Sequence, residues 1–156
     1  MDRARSMLWL AAAILGGAMT MAAQGGQAPS PAPTGTTMAR TWTDADLDRL
    51  MKDIGATQGA LRKALDGQNV ELLKTNADKL EDLFEQVDDF WSARNVKDAA
   101  EWADDAAEHA DHIEDAADAK DFTRAAEHAK LLQATCATCH TKYRDKGPDG
   151  QYRIKP

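Results

Sequence analysis

Between Thr43 and Tyr143 the chain repeats one pattern four times: a small polar residue, then apolar residues every three or four positions, then a breaker. That period is the helical one, and it leaves no room for a sheet. Thr43 with Asp46 three residues on resembles a capping box, followed by Leu47, Leu50, Met51, Ile54, Leu61 and Leu65, with Gly67 as the stop. Asn69 can cap a second helix with the stripe Leu73, Ala77, Leu80, Phe84, Val87 and Trp91. Asn95 can cap a third, carrying Val96, Ala99, Ala103, Ala106, Ala110, Ile113 and Ala117. Asp121 can cap a fourth, with Phe122, Ala125, Ala126, Ala129, Leu132, Cys136 and Tyr143 on one side, ended by Gly147-Pro148. No strand-like alternation of any length appears. Connections of about two to four residues make consecutive helices antiparallel neighbours. The expected fold is all-α, an up-down-up-down four-helix bundle. Its alanine-rich third helix either draws its neighbours close or leaves room for something wide and flat.

The bundle does not begin at residue 1. Arg3 and Arg5 precede an apolar run from about Met7 to Met21, with small residues Ala22 and Ala23 after it. This is the build of a secretory signal peptide, and the run falls short of the roughly 20 residues of a spanning helix. Residues 25 to 40, GGQAPSPAPTGTTMAR, are rich in Gly, Pro, Ser and Thr and read as a tether. The expected organisation is a signal peptide over 1–23, a flexible linker over 24–41 and a helical domain over 42–156, exported and periplasmic or beyond. The full chain has a net charge of -7, and removal of Asp2, Arg3 and Arg5 takes away a net +1, leaving the exported part near -8. Such a chain is a poor ligand for nucleic acid or an anionic membrane surface.

An oxidising compartment makes the two cysteines informative. They stand together in CATCH, residues 136 to 140. On a helix Cys136, Cys139 and His140 leave from one face at i, i+3 and i+4. Two thiols so placed can form thioether bonds to the two vinyl groups of a haem, and the adjacent imidazole can ligate its iron, so C-x-x-C-H is the c-type attachment signature. A thioredoxin-like pair would need a βαβ setting, and structural zinc would need four ligands where only one cysteine pair exists. The motif therefore predicts one covalent haem c, with His140 as an iron ligand.

With these residues in view, positions 43 to 146 resemble the cytochrome c′ family, the class II cytochromes c, whose four-helix bundles carry C-x-x-C-H near the end of the last helix. CATCHTKYR is similar to that family's attachment segment, in which an aromatic residue and an arginine follow the histidine, here Tyr143 and Arg144. LMKDIG, residues 50 to 55, is similar to the first-helix segment whose methionine is the sixth iron ligand in low-spin members. The resemblance implies haem between the first and fourth helices, Met51 on the iron, and Leu47, Tyr143 and Arg144 in the haem pocket. It also carries an expectation of homodimers formed through the first two helices. Two departures stand out: the family usually has an arginine where this chain has Leu47, with Arg49 nearby, and the often long loop between helices two and three is only about SARN.

Helix rise alone gives a related picture. At 1.5 Å per residue Met51 lies about 10 Å in from the start of its helix and His140 about 8 Å from the end of its own. By the same rise Trp102 lies at about 9 Å and Phe84 at about 12 Å, which makes both candidate haem-packing aromatics, with ordinary core as the other reading. His109, His112 and His128 fall about 20 to 26 Å from that end, beyond reach of the iron; a second metal site at the far end is one reading of them, and solvated faces are the default. From Asp98 to Asp121 there are ten carboxylates and one basic residue, Lys120. Lys142, Arg144, Lys146, Arg153 and Lys155 surround the attachment site. Such a dipole can turn an acidic redox partner toward the haem. The expected function is electron transfer without substrate chemistry, so no enzyme. The alternative is a five-coordinate protein that binds nitric oxide or another small gas, with Met51 only crowding the open face.

Overall fold

The computed structural model describes residues 41–155. The segments expected to be a signal peptide and a linker, residue 41 excepted, lie outside them. Four helices follow one another, α1 (Asp44–Asp66), α2 (Val70–Ser92), α3 (Lys97–Asp118) and α4 (Phe122–Tyr143), and the chain closes with two short strands, β1 (Arg144–Lys146) and β2 (Tyr152–Ile154). The four-helix bundle read from the sequence is the observed fold. Each helix packs chiefly on the next, α2 on α3 most extensively, whereas α1 hardly meets α4.

Local chemistry sets the helix starts. The Asp46 amide donates to Thr43 Oγ1 at 3.2 Å and the Thr43 amide donates to Asp46 Oδ2 at 3.0 Å, a complete capping box. Asn69 accepts from the Leu72 amide and Asp121 from the Arg124 amide, both at 3.0 Å. The third start differs from expectation. Its cap is Val96, with no side-chain hydrogen bond, and Asn95 instead sits in the left-handed region at φ 58°.

That position recurs. Gln68 (φ 49°), Asn95 and Lys120 (φ 56°) each follow the last residues of a helix in left-handed geometry. In each case the next amide reaches back five residues, Asn69 to Ala64 O, Val96 to Trp91 O and Asp121 to Ala116 O. All three links are thus the same Schellman turn, whose second backbone bond runs from Gln68, Asn95 or Lys120 to the carbonyl three residues earlier. Gly67 is one residue too early to make the turn. It stays right-handed at φ -83° and the left-handed place falls to Gln68. A side chain there costs about 1–2 kcal/mol that glycine avoids, less for asparagine. Lys120→Gly should therefore raise stability by about 1 kcal/mol, after allowance for glycine's greater unfolded entropy, and Asn95→Gly by less. Urea midpoints of the two variants measure this; a lower midpoint for Lys120→Gly would contradict the turn's role.

α2 and α3 supply most of the core, with α1 adding Leu47, Leu50, Ile54 and Leu61. Phe90, Leu73 and Leu80 on α2 and Ile113 on α3 are its largest fully buried side chains. Ala99, Ala103, Ala106, Ala110, Ala116 and Ala117 of α3 are buried to 4 % exposure or less. Of the two uses foreseen for this alanine face, close approach is the one observed, because small side chains let the neighbouring backbones draw in. Arg94 joins the two ends of the α1–α2 pair: its guanidinium lies 3.6 Å from the Phe90 ring centre and donates to Asp44 Oδ1 at 2.9 Å.

α4 ends at Tyr143 rather than at Gly147-Pro148, and the expectation of no strands fails here. Arg144 turns extended (φ -103°, ψ 126°) and β1 pairs antiparallel with β2, Arg144 opposite Ile154 and Lys146 opposite Tyr152. Gly147 and Gly150 make the connection possible. A Cβ on Gly147 would come within 2.7 Å of Asp149 Oδ1, and Gly150 has φ 78°. The hairpin also finishes the helix, since the Lys155 amide donates to Tyr143 O at 2.8 Å and Lys155 Nζ to Thr141 O at 2.7 Å.

Candidate functional site

The last three turns of α4 carry Cys136, Cys139 and His140. On the inner face of this helix only Ala125 and Leu132 are fully buried; beyond Leu132 the residues Cys136, Cys139, His140 and Tyr143 are all half-buried. Continuing the apolar period beyond Leu132 leaves a half-buried strip along the loosely packed α1–α4 seam. Met51 lies on the α1 side of that seam, partly buried against the core, with Leu47 and Ile54 buried beside it at 8 % and 5 % exposure.

Gln58 Nε2 reaches Cys136 Sγ at 3.5 Å and sets the two helices in register. Counted in opposite directions from that contact, His140 is level with Ile54, and Met51 lies about one turn, roughly 4.5 Å, nearer the helix start. The match of heights expected between Met51 and His140 is looser than helix lengths suggested, because α4 stops at Tyr143.

Burial sets the protonation of the motif. It pushes the Cys136 thiol up, against the Gln58 hydrogen bond, and lifts Cys139 to about 11, with Cys136 and Asp98 adding to the rise. Burial also lowers His140, and the positive Arg144 adds to it. At neutral pH the site offers two thiols and a neutral imidazole, a nitrogen ligand with its lone pair free.

The aromatic residues of this end form a row, part of which the sequence reading missed. Trp42 meets Phe90 edge-on at 6.4 Å, Phe90 meets Trp91 at 5.0 Å, Trp91 meets Tyr143 at 5.0 Å, and Tyr143 lies 6.3 Å from Trp102. Trp102 and Tyr143 therefore stand together near the motif. Phe84 is buried in the core at 4 % exposure, six residues or about 9 Å along α2 from Phe90. Arg144 turns to the hairpin, its guanidinium 4.3 Å from the Tyr152 ring centre. Phe90 and Trp91 escaped notice as site residues because Trp91 reads as ordinary stripe and Phe90 lies one position off it.

Asp98, at the start of α3, was also missed. Lys142 forms an ion pair with it and the Tyr143 hydroxyl donates to it at 2.7 Å, tying the end of α4 to its neighbour. The matching positions of these residues on antiparallel helices were the available signal. The Lys142 hydrogen bond, then that of Tyr143, hold the Asp98 carboxyl below its usual range. A depressed carboxylate contributes stability above its unfolded value of about 3.9, and that contribution is lost as pH falls through the lower folded value. Asp98→Asn should consequently lose stability at neutral pH and unfold less steeply on the acid side, followed by helical circular dichroism. Superimposable acid limbs would remove Asp98 from this role.

Three features of the structure suit a covalently held haem, of which two are the thiols and imidazole on one half-covered helix face and the seam beside it. A third is Trp91 Nε1, a buried N–H with no hydrogen-bond partner, which could serve an anionic group such as a propionate. Lys142 is paired with Asp98 and Arg153 with Asp149, whereas Arg144, Lys146 and Lys155 have no carboxylate partner among the described residues. The remaining histidines are not the solvated residues expected. His109, His112 and His128 meet one another near the opposite end of α3 and α4.

No protein family, curated protein or solved structure matches the chain. Among the described residues no helix is long and apolar enough to cross a membrane.

Proposed function

We propose that this chain is an exported c-type cytochrome of the cytochrome c′ kind, which carries electrons through one covalently held haem and catalyses no substrate reaction. The observation that carries this reading is the joint presence of Cys136, Cys139 and His140, all half-buried, on one face of α4 beside the loosely packed α1–α4 seam. Cys136 and Cys139 would hold the haem by thioether links, His140 would bind its iron, and Met51 would supply the second axial ligand from α1. When bound, such a haem supplies a one-electron iron couple.

The chain's own residues do the rest. Neutral His140 presents a free lone pair without competition from a proton. The row from Trp42 through Trp91 to Tyr143 and Trp102 limits water beside the site, and a low dielectric there favours the less charged state of the couple. Arg144, Lys146 and Lys155 give this end a positive character against the acidic α3, which suits a redox partner with an acidic docking patch. The apolar run and arginines before residue 24 support export, and attachment of haem c outside the cytoplasm agrees with it.

One observation favours a second reading. In the Gln58–Cys136 register Ile54, not Met51, is level with His140, so an apolar side chain would face the open side of the iron. A five-coordinate protein that binds nitric oxide or another small gas would follow. The absorption spectrum of the purified oxidised protein separates the two. A low-spin spectrum with the weak red charge-transfer band of methionine sulfur supports the carrier, and a high-spin spectrum supports the gas binder. Purified protein without haem would overturn both.

A further inference from the structure

Among the described residues, three histidines gather away from the haem-motif end. His112 and His128 have ring centres 4.7 Å apart, and His109 and His128 5.6 Å apart. His109 and His112 lie at i and i+3 on α3. The third faces them from α4, twelve residues or about 18 Å before His140. Each of the three Nδ1 atoms is buried and has no hydrogen-bond partner. Buried polar atoms in folded proteins are nearly always paired, by protein, water or an ion. Three orphaned imidazole nitrogens in one cluster share the chemistry of a single missing partner.

We infer that His109, His112 and His128 form a binding site for one divalent transition-metal ion of the zinc class. Imidazole nitrogens lie about 2.0–2.1 Å from zinc, so neighbouring rings in a tetrahedral shell have centres roughly 5 Å apart, close to the 4.7 Å of His112 and His128. His109, the more distant ring, closes on the ion by rotation about its side-chain torsions. The fourth position falls to Asp111, Asp115 or water, since ligand atoms of Asp111, His112 and Asp115 lie within 4.8 Å of one another. His112 Nε2 faces Glu108 Oε1 at 3.7 Å, the carboxylate partner that commonly orients a ligating histidine and leaves its other nitrogen free for metal. The ligand set is nitrogen-rich, which selects zinc or copper over magnesium and calcium. Neutral imidazoles bind the ion, and the carboxylates of α3 offset its charge.

The test is calorimetric titration of the full-length purified protein with zinc chloride at neutral pH. One ion per chain is expected, with excess magnesium failing to compete and His128→Asn weakening affinity at least tenfold. Asp78→Asn, in the separate acidic group of Asp78, Glu81 and Glu114, should leave binding unchanged. Because His128→Asn could disturb the bundle, zinc protection of the three histidines against diethyl pyrocarbonate is read in the unaltered protein by peptide mass spectrometry. Absence of binding, competition by magnesium, loss of binding in Asp78→Asn or unprotected histidines would each overturn the inference. The His128→Asn comparison and the histidine protection read this site alone, so a zinc ion taken by Cys136, Cys139 and His140 in haem-free protein is told apart from it.

Discussion

Protein carrying both Cys136→Ser and Cys139→Ser should come out of expression with no haem fixed to the polypeptide. The unaltered protein should keep its haem through a denaturing gel and show it by peroxidase staining. A thioether needs sulfur, and serine oxygen at the same place cannot form one, so the change removes the bond while keeping size and helix. The substitution should disturb the bundle little, since both cysteines are only half-buried and their sole noted polar contact is that of Gln58 with Cys136. Either single change should leave at most one link and lower the yield of coloured protein. The competing fate of two thiols in an exported chain is a disulfide. Both are free in the structure. Colourless wild-type protein with its two cysteines joined would end the cytochrome reading outright.

Met51→Ala carries the next largest effect. It should abolish the red charge-transfer band of the oxidised protein, open the reduced iron to carbon monoxide and lower the reduction potential. Thioether sulfur stabilises ferrous iron relative to ferric, so its loss moves the potential down. Met51 is the only methionine among the described residues, and its flexible thioether can span the turn that separates it from His140's level. Ile54→Ala supplies the contrast. If Met51 ligates, trimming Ile54 should leave the band in place; if Ile54 caps an open iron, its removal should speed gas binding while Met51→Ala changes little.

Much of the fold was legible because helix caps and periods are local. Thr43, Asp46, Asn69 and Asp121 act within three residues of themselves, and each does what its chemistry promises. Asn95 misled because asparagine suits both a helix cap and a left-handed turn, and the Schellman geometry took it for the second. The end of α4 was hidden for a different reason. Three-residue strands have no period to read, and the stop at Tyr143 depends on bonds from Lys155, twelve residues away. Of the candidate site, the motif was plain from spacing, but its surroundings were not. That Asp98 receives Lys142 and Tyr143, and that three histidines converge, follows from how α3 and α4 rotate against each other, which no single helix encodes.

The three identical turns also determine in what order such a chain can assemble. Each joins neighbours through bonds spanning five residues, so α1 with α2, α2 with α3 and α3 with α4 can zip by short-range encounters. Topologies dominated by local contacts fold in about microseconds to milliseconds. The α1–α4 seam alone demands a meeting of residues nearly eighty positions apart, Gln58 with Cys136, and it yields the least packing in return. Closure of that seam is therefore the last and least rewarded step. The two thiols lie along it, so they stay reachable to modifying enzymes after the rest of the core has collapsed, and whatever becomes fastened to them would act as the clasp.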